Sequence, residues 1–321
     1  MKAAAIDGYG GSERLVIREL PNPGPLGPGQ VLVRVRAASV NPIDWKIRRG
    51  NLRLVMPARF PLVLGFDLAG EVVAIGPEVT RFEPGDEVFG GADPRSQGGS
   101  YAELTLARES ELAAKPAALS FEEAAALPVA GATALQALRD KGELVAGETV
   151  LVNGAAGGVG HLAVQIAVAL GAEVSGVASR TNLDFVRRLG ASEVIDYEEE
   201  DFTGRDDEWD VIFDAVGNRS YRDAEPALSR NGGIYVSTQV RPRLLIDIAL
   251  TTLGALLGQK KRARTIIAKP KTVDLTTLAR MADQGQLRPA IQKVFPLTEI
   301  AKAHDLSESG HVRGKLVVRV G

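Results

Sequence analysis

VNGAAGGVGHLAVQ, residues 152–165, is the stretch on which the fold turns. The valine-rich run ETVLVN (148–153) leads into it and a helical pattern, GVGHLAVQIAVAL (158–170), leads out, so the glycines sit in a strand-to-helix turn. Set against the dinucleotide fingerprint, Ala155, Gly157 and Gly160 fill the three small-residue positions, with alanine replacing the first glycine. A side chain at 157 would hold the backbone off a pyrophosphate, and one at 160 would hold the helix off the strand. The N–H groups of Gly158 and Val159, at the helix start, would then face the anion. The alternative is the same tight turn with nothing bound.

Downstream, AEVSGVAS (172–179) reads as a strand and NLDFVRRLG (182–190) as a helix ended by glycine. Further strands are expected near 193–196, 210–215, 233–238 and 264–268. Strands separated by helical segments imply βαβ crossovers, hence an α/β fold with a parallel sheet. Ligands of such sheets bind at the carboxyl edge, where DAVGN (214–218) places Gly217 and the 233–238 strand places Ser237. An NAD enzyme usually carries an acidic residue after the second strand; here stands Ser179-Arg180-Thr181-Asn182. A guanidinium and a hydroxyl suit a 2′-phosphate, so NADPH is the expected cofactor. The alternative for Arg180 is a solvated charge at a helix start.

Upstream of about residue 115 the texture changes to short strands divided by Pro/Gly turns: VLVRVRAASV (31–40), LAGEVVAIG (68–76) and EVFG (87–90). After a linker near 265–272, a helix over 273–285, another near 298–308 and a closing strand GKLVVRV (314–320) are expected.

Composition narrows the chemistry. The 321 residues include no cysteine, which removes disulfides, thiolate nucleophiles, cysteine-rich zinc sites and cysteine-ligated iron–sulfur clusters. The three histidines, His161, His304 and His311, lie beside no nucleophile motif and read as structural or surface residues, and no metal site is expected. A net charge of −2 without a basic tail gives no footprint for nucleic acid. The N-terminus, MKAAAIDGYG, breaks before a signal-length apolar run, so a cytoplasmic protein is expected. Leu244 to Leu257 is apolar but contains Asp247 and Gly254 and is shorter than the ~20 residues of a bilayer span. It is expected to be a buried or interface helix, with no membrane partner.

Several ordered blocks resemble the medium-chain dehydrogenase/reductase superfamily, and within it the zinc-free quinone oxidoreductase group: NPIDWKIRRG (41–50), GFDLAGEVVAIGPEVTRFEPGDEVFG (65–90), GGSYAEL (98–104), AALPVAGATA (125–134), NGAAGGVG (153–160) and VIDY (194–197). The resemblance implies a GroES-like β-barrel catalytic domain from residues 1–120 and 270–321, an inserted Rossmann NADPH-binding domain over 121–269, and an active site in the cleft between them. Zinc-dependent relatives carry a cysteine where Asn41-Pro42-Ile43-Asp44 begins and Gly-His-Glu where this chain has Gly65-Phe66-Asp67. The implied chemistry is therefore zinc-independent hydride transfer from NADPH to a small-molecule electron acceptor, either a quinone or the β-carbon of an α,β-unsaturated carbonyl.

By the same resemblance, Asn41 lies near the nicotinamide ribose and substrate, its amide donating to a carbonyl oxygen; the alternative is a turn cap before Pro42. Asp44 orients neighbouring groups or caps a helix beginning at Trp45. Thr133 contacts the nicotinamide end or packs structurally. Tyr197 lies beside the adenosine phosphate, with Arg313 a second candidate there. Leu52 stands where many relatives have a pocket-lining tyrosine. A homodimer is expected, paired through the strand around 264–268. Two other readings are an NADPH-binding redox sensor or scaffold, and an acyl-thioester enoyl reductase with Lys260, Lys261, Arg262 and Arg264 as its basic patch.

Overall fold

The computed structural model describes residues 1–94, 98–205 and 208–321. The chain divides into two compact units, Met1–Ala132 with Lys269–Gly321, and Thr133–Ala268.

The second unit is a six-stranded parallel sheet, ordered Glu193–Asp196, Glu173–Ala178, Thr149–Asn153, Val211–Asp214, Ile234–Ser237, Arg262–Thr265. Val150, Leu151 and Val152 are fully buried, as a strand covered on both faces requires. Strand order reverses on either side of Thr149–Asn153, so a ligand crevice is set at its carboxyl end. The helix that follows runs Gly160–Ala169 and is buried at Gly160 to Val164, Ile166 and Ala167. It is thus a core helix rather than an amphipathic surface one. The Leu183–Arg188 helix is followed by Gly190 at φ +106°, the left-handed stop its sequence announces.

Two expectations shift here. The last strand is Arg262–Thr265, not 264–268. The apolar segment forms a Pro242–Ala255 helix that buries only Leu244, Asp247 and Thr251, so it is not a buried helix.

The first unit holds a seven-stranded sheet, ordered Ile291–Pro296, Lys315–Arg319, Gln30–Val40, Asp67–Ile75, Glu87–Gly91, Leu112–Ala114, with Leu104–Arg108 also paired to Gln30–Val40. All these pairings are antiparallel except that of the first two strands. A smaller sheet joins Val16–Glu19, Lys2–Ile6 and Leu62–Val63. The alternation in VLVRVRAASV sends Val31, Val33 and Val35 into the core, where they meet Leu68, Val88 and Leu316. The C-terminal strand closes this unit by pairing Leu316 with Val40 and Val318 with Ala38.

Candidate functional site

In the first unit the Gln30–Val40 strand delivers the chain to Asn41, the N-cap of a helix over Pro42–Arg48, with proline at the first helical position, where it lacks only an orphan N–H. The helix thus starts at Pro42, before Trp45. Asp44 caps it from inside: Oδ2 accepts the Asn41 N–H at 2.8 Å, and Oδ1 accepts the Gly65 N–H at 3.1 Å.

The Asn41 side chain is engaged elsewhere. Its Nδ2 donates to Asp67 Oδ2 at 2.8 Å, and its Oδ1 accepts from Lys315 Nζ at 2.7 Å. An ammonium can only donate and a carboxylate only accept, so this pair fixes which way the amide points and leaves one N–H for another acceptor. Asp67 also accepts from Ser39 Oγ at 2.6 Å and from the Val129 N–H at 2.8 Å, and Lys315 Nζ lies 3.6 Å from its Oδ2. All five of these side chains, Ser39, Asn41, Asp44, Asp67 and Lys315, are buried.

Burial therefore governs the charges. It pushes the Asp44 carboxyl up to about 7, with Asp67 adding to the rise and the Asn41 N–H, Tyr101 and Lys315 opposing it. Burial lowers the Lys315 ammonium, against the pull of Asp67 and Asp44. The Tyr101 hydroxyl bonds the Asp44 carboxyl and is held well above its ordinary value by burial and by that carboxylate. His304 Nε2 meets the same hydroxyl at 3.3 Å, and burial together with the Arg48 guanidinium pushes its imidazole down to about 3.

In the second unit the cofactor candidates gather at the carboxyl edge of the sheet. Ala155, Gly157, Gly158 and Val159 form the turn after Thr149–Asn153, with the Gly154 and Ala155 N–H groups donating to Val177 O at 3.2 and 2.9 Å. A Cβ at Gly160 would fall 2.0 Å from Gly154 O, so helix and turn touch backbone to backbone; a Cβ at Gly157 would meet only Gly154 O at 3.3 Å and otherwise fill open space. His161 Nδ1 meets Gly157 O at 2.8 Å, a structural role. These features fit a nucleotide pyrophosphate, with bare backbone at 157 and N–H groups at the start of a buried helix.

Ser179 and Arg180 follow the Glu173–Ala178 strand, and Tyr197 follows Glu193–Asp196, its backbone N–H bonded to Ala178 O at 3.2 Å. The exposed Arg180 guanidinium pairs with Glu199 and lies 3.9 Å from Asp196. Any 2′-phosphate would meet this cation in competition with two carboxylates that sequence reasoning missed.

Asp214, fully buried at the end of its strand, organises the rest of the edge. It accepts from Asn153 Nδ2 at 2.9 Å, the Gly217 N–H at 2.7 Å, the Val216 N–H at 3.0 Å and the Tyr235 hydroxyl at 2.8 Å. Gly217, at φ +79°, and Ser237 line a cavity of about 250 Å³ with Arg219, Arg241, Arg243 and Asp247.

The remaining candidates stand apart from these two groups. Thr133 is half-buried in the Pro128–Gln136 helix, which carries the chain from one unit into the other. Arg313 is exposed in the turn before Lys315–Arg319, its N–H bonded to Gln292 Oε1 at 2.7 Å. Of the expected basic patch, Arg262 and Arg264 are both paired with Glu143, and Lys261 donates to Glu225 O. Sequence reasoning also missed Lys315, Tyr101 and Asp214. A lysine opening an otherwise apolar strand was the visible signal for the first, since an inward ammonium demands an anion.

Residues 189–318 match the family model described as zinc-binding dehydrogenase, and residues 27–117 that of the alcohol dehydrogenase GroES-like domain. The chain is 35% identical to the mitochondrial NAD(P)H oxidoreductase RTN4IP1 of Mus musculus, across 100% of this chain and 89% of the relative. It is 33% identical to the 2-methylene-furan-3-one reductase of Solanum lycopersicum, across 99% and 79%. The solved structure of the quinone oxidoreductase from Coxiella burnetii matches with TM-score 0.87 at 35% identity, covering 100% of this chain and 99% of that one. With its GroES-like unit, its Rossmann-like parallel sheet and these full-length relatives, the chain belongs to the quinone oxidoreductase group of the medium-chain dehydrogenase/reductase superfamily, whose members are nicotinamide-dependent oxidoreductases.

Proposed function

We propose that the chain reduces a quinone or the activated C=C bond of an α,β-unsaturated carbonyl with NADPH and without zinc. The observation that carries this reading is the Lys315–Asn41–Asp67 network. Zinc seeks thiolate, imidazole or carboxylate ligands. This network offers an amide and one carboxylate, and the cation beside them is an ammonium that already bonds Asn41 and lies 3.6 Å from Asp67. The donor set does not fit the metal of the zinc-dependent relatives.

When bound, NADPH supplies the hydride. The turn at 155–159 and Gly217 would hold its phosphates and Arg180 its 2′-phosphate, with Ser237 at the same edge. Tyr197 and Arg313 are assigned to the adenosine phosphate, and Thr133 to the nicotinamide end. Asn41, its amide locked by Lys315 and Asp67, presents its remaining N–H to the acceptor oxygen as that oxygen gains charge, an interaction worth most when the donor is fixed beforehand. Asp44 touches Asn41 through the backbone and acts as a positioning residue. Quinone and enone share the feature this serves, a carbonyl conjugated to the carbon that takes hydride, and the names of the Coxiella and tomato relatives cover both.

Following NADPH oxidation against a panel of quinones, enones and simple aldehydes tests the reading. Turnover is expected with the first two classes, and Asn41→Ala should lower kcat by about a hundredfold, within the range for loss of one fixed oxyanion donor. Tight NADPH binding with no turnover on any acceptor would leave the sensor reading in its place.

A further inference from the structure

Behind the Asn41 turn, three titratable side chains from distant parts of the sequence meet in a line. Asp44 sits on the Pro42–Arg48 helix, Tyr101 just ahead of the Leu104–Arg108 strand and His304 on a helix over Ile300–Glu308, and all three are fully buried. The Tyr101 hydroxyl stands in the middle, bonded to the Asp44 carboxyl on one side and 3.3 Å from His304 Nε2 on the other. It has one proton for two neighbours that can both accept. His304 Nδ1 is buried and meets no hydrogen-bond partner among the described residues. The tautomer of a histidine is ordinarily set by what its second nitrogen bonds, and here only Tyr101 is placed to set it.

Proton counting couples the two ends. A charged Asp44 carboxylate can only accept, so Tyr101 donates to it and the hydroxyl oxygen takes the His304 Nε2–H, leaving Nδ1 bare. A protonated Asp44 donates to the Tyr101 oxygen instead; the hydroxyl proton turns to Nε2, and the single imidazole proton must sit on Nδ1. Burial and Arg48 push His304 down to about 3, so it stays neutral and holds one proton in both states. Burial holds Asp44 up to about 7, so both states are populated near neutral pH. The other charged groups facing this line are no part of it. Lys315 and Arg48 are donors only, and Asp67 already accepts from Ser39, Asn41 and the Val129 N–H. Arg48 is itself faced by Arg49, Asp305, Glu13 and Glu308.

We propose that Tyr101 and His304 form a proton relay to Asp44 and through it act as positioning residues for Asn41. A proton taken up at His304 Nδ1 releases the Nε2 proton to the Tyr101 oxygen, and the Tyr101 proton passes to Asp44. Each relay member gains one proton and loses one, so the only charge that changes is that of the carboxylate. Asp44 Oδ2 accepts the Asn41 N–H at 2.8 Å, which sets this charge beside the donor assigned to the acceptor oxygen. A carboxylate there opposes the negative charge that the oxygen gains, and a neutral carboxyl does not. This consequence for turnover rests on the hydride-transfer reading, whereas the relay itself does not.

Nitrogen-15 NMR of the full chain labelled at histidine reads both ring nitrogens of His304 across about pH 5.5 to 8.5, with His304→Gln to assign them. Nδ1 is expected to carry the proton at the acid end and Nε2 at the alkaline end, with the exchange centred where Asp44 titrates, at about 7. Tyr101→Phe breaks the relay and Asp44→Asn removes its far end, so each should hold one tautomer throughout. A single tautomer across the range in the parent chain, or an exchange that survives in either variant, would overturn the relay. NADPH oxidation against a quinone over the same range reads the consequence. The parent kcat should fall as pH rises through about 7, and Tyr101→Phe, which removes a bond favouring the charged carboxyl, should move that fall up by about one pH unit or more. A fall governed by the Lys315 ammonium would stay in place in Tyr101→Phe, and that result would overturn the positioning role. Absence of turnover with every acceptor would count against hydride transfer alone, because the tautomers are read without it.

Discussion

Removing the Lys315 ammonium would leave the Asp67 carboxylate fully buried with neutral donors and no counter-charge. Breaking a buried pair from one side commonly costs about 3–5 kcal/mol. Lys315→Met is therefore expected to lower unfolding free energy by about that much, and adding Asp67→Asn to recover most of it, because the uncompensated charge is then gone. Urea unfolding of the two single variants and the double variant measures this; simple addition of the two losses would mean that the groups are not coupled. Asp44 and His304 give a second test, through pH. Asp44 is held up to about 7 from its ordinary 3.8, so the folded chain keeps a proton that the unfolded chain releases, and the associated stability is lost as pH rises through that interval. His304 is pushed down to about 3 from its ordinary 6.5; the unfolded chain takes up a proton the folded chain refuses, and stability is lost as pH falls below 6.5. Across about pH 4 to 6.5 the two slopes oppose. Relative to the parent chain, Asp44→Asn should make stability rise more steeply with pH in this window, and His304→Gln should make it fall. Unfolding midpoints at several pH values read the sign directly, and a pair of unchanged slopes would show that neither group titrates as described.

At the scale of elements, the proposed reading puts cofactor choice in the loops that follow the strands of the parallel sheet. Arg180 spends its guanidinium on Glu199 in an exposed pair, of a kind worth at most about 1 kcal/mol. A 2′-phosphate, with more charge and three acceptor oxygens, should displace that carboxylate. Glu199→Gln is then expected to tighten NADPH severalfold without changing NADH, and Arg180→Glu to cut the preference for NADPH by about tenfold or more, in line with about 1.5–3 kcal/mol for charged hydrogen bonds. Fluorescence titration with both nucleotides checks it; an unaltered ratio in Arg180→Glu would move the 2′-phosphate elsewhere. The strands bearing this edge were legible because Val150 to Val152 and Val211 to Phe213 are continuous apolar runs, the mark of strands covered on both faces. The last strand was read two residues late because Arg262 and Arg264 interrupt that signal, and their partner Glu143 is remote in sequence. The apolar run Leu244 to Leu257 pointed to the helix observed at Pro242–Ala255 but could not tell which side faces outward, since apolar side chains read alike whether they are buried or exposed. Asn41 and Asp44 could be named from their motif, whereas Lys315, which orients the Asn41 amide, comes from the far end of the chain and no local pattern couples them.

For the molecule as a whole, the order in which the chain can close follows from where the second unit interrupts the first. Thr133–Ala268 is continuous, and every strand pairing in its sheet except that of Thr149–Asn153 with Val211–Asp214 joins consecutive strands. The first unit is complete only when Lys315–Arg319 has paired with Ala37–Val40, across the entire intervening sequence. Loop closure must be met before such a pairing returns any stability, and contacts between distant residues form slowly. Lys315 raises the barrier further, because its ammonium leaves water only when Asn41 and Asp67 are in place to receive it. During refolding, amides of Val150 to Val152 and Val174 to Val177 are therefore expected to gain protection before those of Ala37 to Val40 and Leu316 to Val318. Pulse-labelling hydrogen exchange during refolding from urea resolves the two sets. Lys315→Met should leave the closing pairing as fast or faster and act mainly by speeding unfolding, since the buried pair forms late. Protection of the terminal strand ahead of the parallel sheet would reverse this order, and would place the nucleus of folding in the discontinuous unit.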